Sequence, residues 1–184
     1  LDAVDSQNLL DGFVLHGTGA GILSRVIDGI ICGEQRAFTW TGAYGSGKST
    51  LALYLTKLLS SEPKDRSKLK PKTKGSASQF GQLVAKLDGS AKPWLVVSIV
   101  GQKTNVEEAI RSELSSAIGV AEDTDASIVD VLNAALKYTS ESYAGLLVVI
   151  DELGRHLEHA AEGSKSLHVL QEIAEIFARS DVPA

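Results

Sequence analysis

Apolar residues return along this chain in two rhythms. Leu23, Val26, Ile27, Ile30 and Ile31 recur at helical spacing and predict an amphipathic helix over about 20–32. Residues 36–41, a short run rich in aromatic and β-branched side chains, predict a first core strand ending at Gly42. After Lys48, the positions Leu51, Tyr54, Leu55, Leu58 and Leu59 follow the i, i+3, i+4, i+7, i+8 pattern of a helix packed on one face. The runs 93–100 (PWLVVSIV) and 146–150 are nearly continuous in apolar residues, as expected of strands covered on both faces of a parallel sheet. Thr104 and Glu107 have the spacing of a capping box and open a helix whose Val106, Ile110, Leu114, Ala117 and Ile118 share a face. Ile128, Val131, Leu132, Ala135 and Leu136 predict another helix, and Leu170, Ile173, Ala174 and Phe177 a last one. Strands alternating with helices predict a parallel, helix-covered α/β sheet. No internal repeat is visible.

One stretch breaks the rhythm. Residues 60–78 carry Lys64, Lys68, Lys70, Lys72 and Lys74, with Pro63 and Pro71 and almost no apolar residue, and predict an exposed, mobile basic loop. The chain as a whole has a net charge of −5, which argues against a broadly basic nucleic-acid-binding surface while leaving room for a local one in this loop. With 184 residues, 43% hydrophobic and 22% charged, it has the bulk of one ordinary globular domain. No apolar run approaches the ~20 residues needed to cross a bilayer, and no secretion leader is visible. Cys32 is the only cysteine and fits a reducing compartment, so a cytoplasmic location is expected. The chain starts at Leu1, contains no methionine and stops at Ala184, where a fold of the kind described below would still need strands. We therefore expect the remainder of a larger protein to be missing at the C-terminal end.

The decisive motif is Gly42-Ala43-Tyr44-Gly45-Ser46-Gly47-Lys48-Ser49, a full match to G-x-x-x-x-G-K-[ST]. Its glycines let the backbone curl close to a phosphate, so that successive N–H groups form an anion nest. The helix that follows offers its unbonded N–H groups and positive dipole end to the same phosphates. Lys48 is suited to reach the β- and γ-phosphates as a point charge, and Ser49 to supply a hydroxyl to Mg²⁺. Thr50 is placed to touch the α-phosphate. The predicted order of strand, glycine loop and helix is the context that this motif requires. Tyr44 is bulky for the loop, but its position contributes backbone. A second glycine cluster, 17–21, lacks the G-x-G-x-x-G spacing and predicts a turn into the first helix; its functional alternative is a contact with an adenine or ribose.

Residues 146–150 deliver Asp151 and Glu152 at the C-terminal edge of a predicted strand, where open α/β sheets bind their ligands. Asp151 is suited to hold Mg²⁺ through its water shell, and Glu152 to orient the water that attacks a γ-phosphate. Asp151-Glu152-Leu153-Gly154 also matches the D-x-x-G of GTPases, but no N-K-x-D guanine signature is present. Further along, His156, His159 and His168 have the composition of a zinc site without a convincing spacing, and structural or solvated roles are preferred. Arg155 is read as a surface ion-pair partner, with phosphate sensing as the alternative.

With both motifs placed, the chain resembles the P-loop ATPases that carry a catalytic Glu beside the metal-binding Asp, including the AAA+ proteins. Two stretches, TGAYGSGKSTLALYL at 41–55 and VVIDELGRHLEHA at 148–160, are similar to the large ATP-binding proteins of bacterial anti-phage defence, such as the BREX-type ATPases. The resemblance implies a three-layer α/β/α core with a mainly parallel sheet, ATP and Mg²⁺ as ligands, and Lys48 and Glu152 as the catalytic pair. It also implies self-association or other subunits of a multi-protein complex, with DNA contact made through that complex. A regulatory nucleotide switch with little turnover, a nucleic-acid-binding module using the lysines of 64–74, a GTPase and a small-molecule kinase remain alternatives. The sensor residue and arginine finger of AAA+ proteins have no assignable counterpart in this sequence.

Overall fold

A computed structural model describes residues 13–33, 35–73, 77–87, 89, 92–101, 105–121, 125–163 and 168–184. It is a mixed α/β structure in two compact units, 1–94 and 95–184. Each unit has its own parallel strand pair.

In the first unit, β1 (Val14–Leu15) leads into α1 (Gly17–Cys32), so the glycine cluster 17–21 forms the helix's own first turns and not a turn ahead of it. Leu23, Val26, Ile27 and Ile30 form the buried face of α1, as their spacing predicts, whereas Ile31 is 49% exposed and lies off that face. Gly33, at φ 70°, ends the helix in the left-handed conformation that favours glycine. The chain then returns along α1, and Gly29 makes room for it: a Cβ there would stand 2.7 Å from the ring of Phe38 and 3.0 Å from Gln35 O.

The segment 36–41, expected as the first core strand, joins no ladder among the described residues. Arg36, Phe38 and Trp40 are half-buried while Ala37, Thr39 and Thr41 are exposed, the two-residue period of an extended chain. A strand is defined by its neighbours, and alternation alone supplies none. The helix α2 (Lys48–Ser60) follows, and the predicted face Leu51, Tyr54, Leu55, Leu58 and Leu59 is buried, together with Leu53 and Thr56.

The basic segment is more ordered than its composition predicts. It contains α3 (Pro63–Arg66), a 3₁₀ turn (Ser67–Leu69) and β2 (Lys72–Thr73), which pairs in parallel with β1. Lys64, Lys68, Lys70 and Lys72 are exposed as expected, whereas Lys74 lies outside the described residues. Arg66 is the exception, with 0% of its surface exposed. Its guanidinium donates to Leu87 O at 2.7 Å and to Lys92 O at 3.3 Å, tying the segment to the end of α4 (Ala77–Leu87). Tyr54 anchors the same segment from α2, donating its hydroxyl to Leu69 O at 3.0 Å. In α4, Phe80, Leu83, Val84 and Leu87 are buried at i, i+3, i+4 and i+7, and this helix packs on α1 with a Lys86–Asp28 ion pair at 2.6 Å.

The second unit is built on β3 (Leu95–Val100) and β4 (Leu146–Asp151), parallel and in register from Leu95↔Leu146 to Val100↔Asp151. Between them run α5 (Val106–Ala117) and α6 (Ile128–Ser142); α5 packs on β3 and on α6, and α6 packs on β4. The chain continues through α7 (Leu153–Gly163) to α8 (His168–Arg179), which packs on α6. Val97, Ile99, Ile110, Leu114, Leu132, Leu146, Ile173 and Phe177 form the core of this unit.

Both interstrand helices start on side-chain caps. Asn105 accepts from the N–H of Glu107 at 2.9 Å, while Thr104, the expected cap, lies outside the described residues. Ser127 accepts from the N–H of Asp130 at 3.2 Å and donates to its carboxylate at 2.6 Å. The strands are less enclosed than their apolar runs predict. In β3 buried and half-buried residues alternate, and β4 is half-buried from Leu147 onward. Full burial of a parallel pair needs helices on both faces.

Candidate nucleotide-binding site

The loop 42–47 is fully on the surface, and its shape follows from its glycines. Gly45 and Gly47 adopt φ 75° and 84°, a region that costs a side-chain-bearing residue ~1–2 kcal/mol. Ser46 N–H donates to Ala43 O at 3.2 Å, closing the turn between them. Gly47 then stands immediately before α2, and its carbonyl accepts the first helical bond, from Leu51 N at 2.9 Å. No side chain caps this helix, so its first-turn N–H groups, from Lys48 onward, are available to a ligand.

The Lys48 ammonium curls back over the loop. It donates to Gly42 O at 3.0 Å and Ala43 O at 2.9 Å, and lies 3.4 Å from Ser46 Oγ. An ammonium has three donors and no acceptor, and here all three find oxygen on the loop that precedes it. The lysine and the glycine turn are thus one structural piece, with an uncapped helix start beside a positive charge. Ser49 is exposed and Thr50 half-buried, and both lie in the first turn of α2. Tyr44 is exposed at the loop's tip, so this bulky residue meets no steric conflict.

In the second unit, Asp151 is the last residue of β4 and Glu152 the first beyond it. Glu152 has φ 55°, the one left-handed non-glycine among the described residues. Its own contacts hold it there. Glu152 N–H donates to Asp151 Oδ1 at 2.9 Å, Glu152 O accepts from Arg155 N at 2.9 Å, and its Oε2 lies 3.0 Å from Arg155 Nε. Arg155 is therefore the surface ion-pair partner that the sequence favours.

His156 is buried at 1% exposure within α7, a structural position, and His168 is exposed at the start of α8. The side chain of His159 lies outside the described residues. Among the described residues, no group of three His, Cys, Asp or Glu side chains is arranged to hold a metal. None of the described helices is long and apolar enough to cross a membrane.

Two residues that sequence reasoning passes over prove structurally central. Arg66 is the single arginine among the lysines of 60–78, and that contrast is a usable signal, because a guanidinium satisfies several carbonyls at once where an ammonium is a point charge. Gly101 is buried directly after β3, and its N–H donates to Asp151 O at 2.8 Å. Nothing in its local sequence marks it.

Comparison of the chain with protein-family models, with curated proteins and with solved structures finds no match. The functional reading therefore rests on the residues themselves.

Proposed function

We propose that this chain binds Mg·ATP through the loop 42–50 and hydrolyses it, as the motor or switch component of a larger complex. The observation that carries the reading is the conformation of the loop: left-handed Gly45 and Gly47, an uncapped helix start, and the Lys48 ammonium lying on the same turn. The backbone amides of 43–49 receive the phosphates, Lys48 neutralises their charge, and Ser49 ligates Mg²⁺. Asp151 is assigned the water shell of the metal, and Glu152 the orientation of the attacking water. On this reading the mixed α/β structure belongs to a three-layer P-loop core with a mainly parallel sheet, of the class that includes the AAA+ proteins. A role in anti-phage defence, in the cytoplasm and beside DNA, extends the same proposal through the resemblance of 41–55 and 148–160.

The test uses three proteins. Wild type binds a fluorescent ATP analogue and releases phosphate in a reaction abolished by chelating Mg²⁺. Lys48→Ala loses roughly a hundredfold in affinity, the equivalent of about 2.7 kcal/mol of charge-assisted contact. Glu152→Gln binds ATP as wild type does and releases phosphate only at a small residual rate. Undiminished binding by Lys48→Ala would overturn the site, and ordinary turnover by Glu152→Gln would remove that residue from its role. Preference for GTP over ATP in competition would move the chain to the GTPase alternative.

A further inference from the structure

We propose that Gly101 is a positioning residue for Glu152: having no side chain, it lets the chain leaving β3 lie against the Glu152 peptide and hold that acid in its left-handed setting. The inference rests on the reading of Glu152 as the acid that orients water. Gly101 closes the last rung of the β3–β4 ladder, Val100↔Asp151, through its N–H to Asp151 O at 2.8 Å. A Cβ at this position would overlap Glu152 O and would stand 2.9 Å from both the carbonyl carbon and the Cβ of Glu152. Gly101 is not among the glycines with positive φ, so what it supplies is space and not backbone freedom.

Glu152 needs that space. A left-handed residue with a side chain persists only where its surroundings over-determine it. Here Asp151 Oδ1 holds its N–H, Arg155 N–H holds its carbonyl oxygen, and Arg155 Nε holds its carboxylate. Gly101 closes the remaining direction. A side chain at 101 pushes the Glu152 peptide away and turns its carboxylate, and the substitution alters none of the residues 42–50 assigned to ATP. The effect therefore falls on kcat and not on KM.

Gly101→Ala is expected to lower kcat at least tenfold in a phosphate-release assay, with KM for ATP within twofold of wild type. In a Glu152→Gln background the same change is expected to lower the residual rate less than twofold, because the group it positions is already gone. An unchanged kcat in Gly101→Ala, or a full tenfold further loss in the Glu152→Gln background, would overturn the proposal. A second measurement is independent of turnover and covers a poorly folding variant. Glu152→Gly removes one clashing atom and frees the 152 backbone, so it is expected to recover at least half of any melting-temperature loss caused by Gly101→Ala. No recovery would show that Gly101 does not act through Glu152. Absence of ATP hydrolysis by wild type would instead defeat the functional reading, and the melting comparison would still decide the part played by Gly101.

Discussion

Arg66 offers a sharp test of the first unit, because competing physical effects predict different outcomes for three substitutions. Its side chain is fully buried and donates to Leu87 O at 2.7 Å and Lys92 O at 3.3 Å. Arg66→Ala removes a strong charge-assisted bond and a long, weaker one, worth about 1.5–3 kcal/mol together. It also removes the packing of two methylenes, Cγ and Cδ, about 0.8 kcal/mol each. Against this, a buried cation is released from a desolvation cost that can reach several kcal/mol. The carbonyls left behind decide the sign: Leu87 O loses this donor in a buried setting and Lys92 O in a partly buried one, and the net loss is about 2–4 kcal/mol.

Arg66→Met keeps the stem and removes the charge, so about 1–2 kcal/mol of loss is expected. Arg66→Lys keeps the charge but has one nitrogen for two carbonyls, and it is expected to lose at least as much as Met. For a chain of this size, each kcal/mol lowers the melting temperature by roughly 2–4 °C, so Arg66→Ala is expected to melt about 4–16 °C lower. Scanning calorimetry reads the shift, with the exposed Lys64→Ala and Lys70→Ala as controls, each within about 0.5 kcal/mol of wild type. A melting curve for Arg66→Ala that overlays those controls would refute the reasoning, because Arg66 would then be one more solvated cation of a basic loop.

Tyr54 predicts a pH effect in the same unit. Burial raises its phenol well above the ordinary value near 10, so the unfolded chain ionises first. The stability tied to this group is fully present below about pH 10 and is lost as pH rises toward the folded value, at up to about 1.4 kcal/mol per pH unit. Tyr54→Phe is expected to remove that alkaline slope in urea titrations, at a cost of about 1 kcal/mol for the bond to Leu69 O; an unchanged slope would refute it. Gly47→Ala meets open space but must adopt φ 84°, so its cost is conformational, about 1 kcal/mol. ATP affinity is expected to fall about fivefold with the fold intact, and an unchanged dissociation constant would show that the loop does not need this conformation.

Periodicity was a good guide wherever the partner of a residue lies on its own element. The faces of α1, α2, α5, α6 and α8 were legible because a buried stripe repeats every three or four residues. The loop 42–49 was legible for the same reason: glycine, lysine and helix start are consecutive, and Lys48 finds its oxygens within six residues. Segment 36–41 marks the limit of this logic. Its alternation survives as alternating exposure, but a ladder needs a neighbouring strand, and no local pattern names one. The basic segment shows the limit from the other side. Its lysines do face water, yet Arg66 reaches across to Leu87 and Lys92, and composition averages that one residue away.

The acidic pair is a mixed case. That β4 ends at Asp151 follows from an apolar run meeting two acids, and it was readable from the sequence. The left-handed turn of Glu152 was not, because the space it occupies lies against Gly101, far earlier in the chain. Two kinds of glycine are at work in this protein, and they leave different traces. Gly45 and Gly47 are required by their own dihedral angles, so they recur in a motif that can be recognised without a structure. Gly101 is required by someone else's atoms. Its necessity appears only when the register of β3 against β4 brings it under the Glu152 peptide, so a glycine at a strand's end becomes informative only once the neighbouring strand is known.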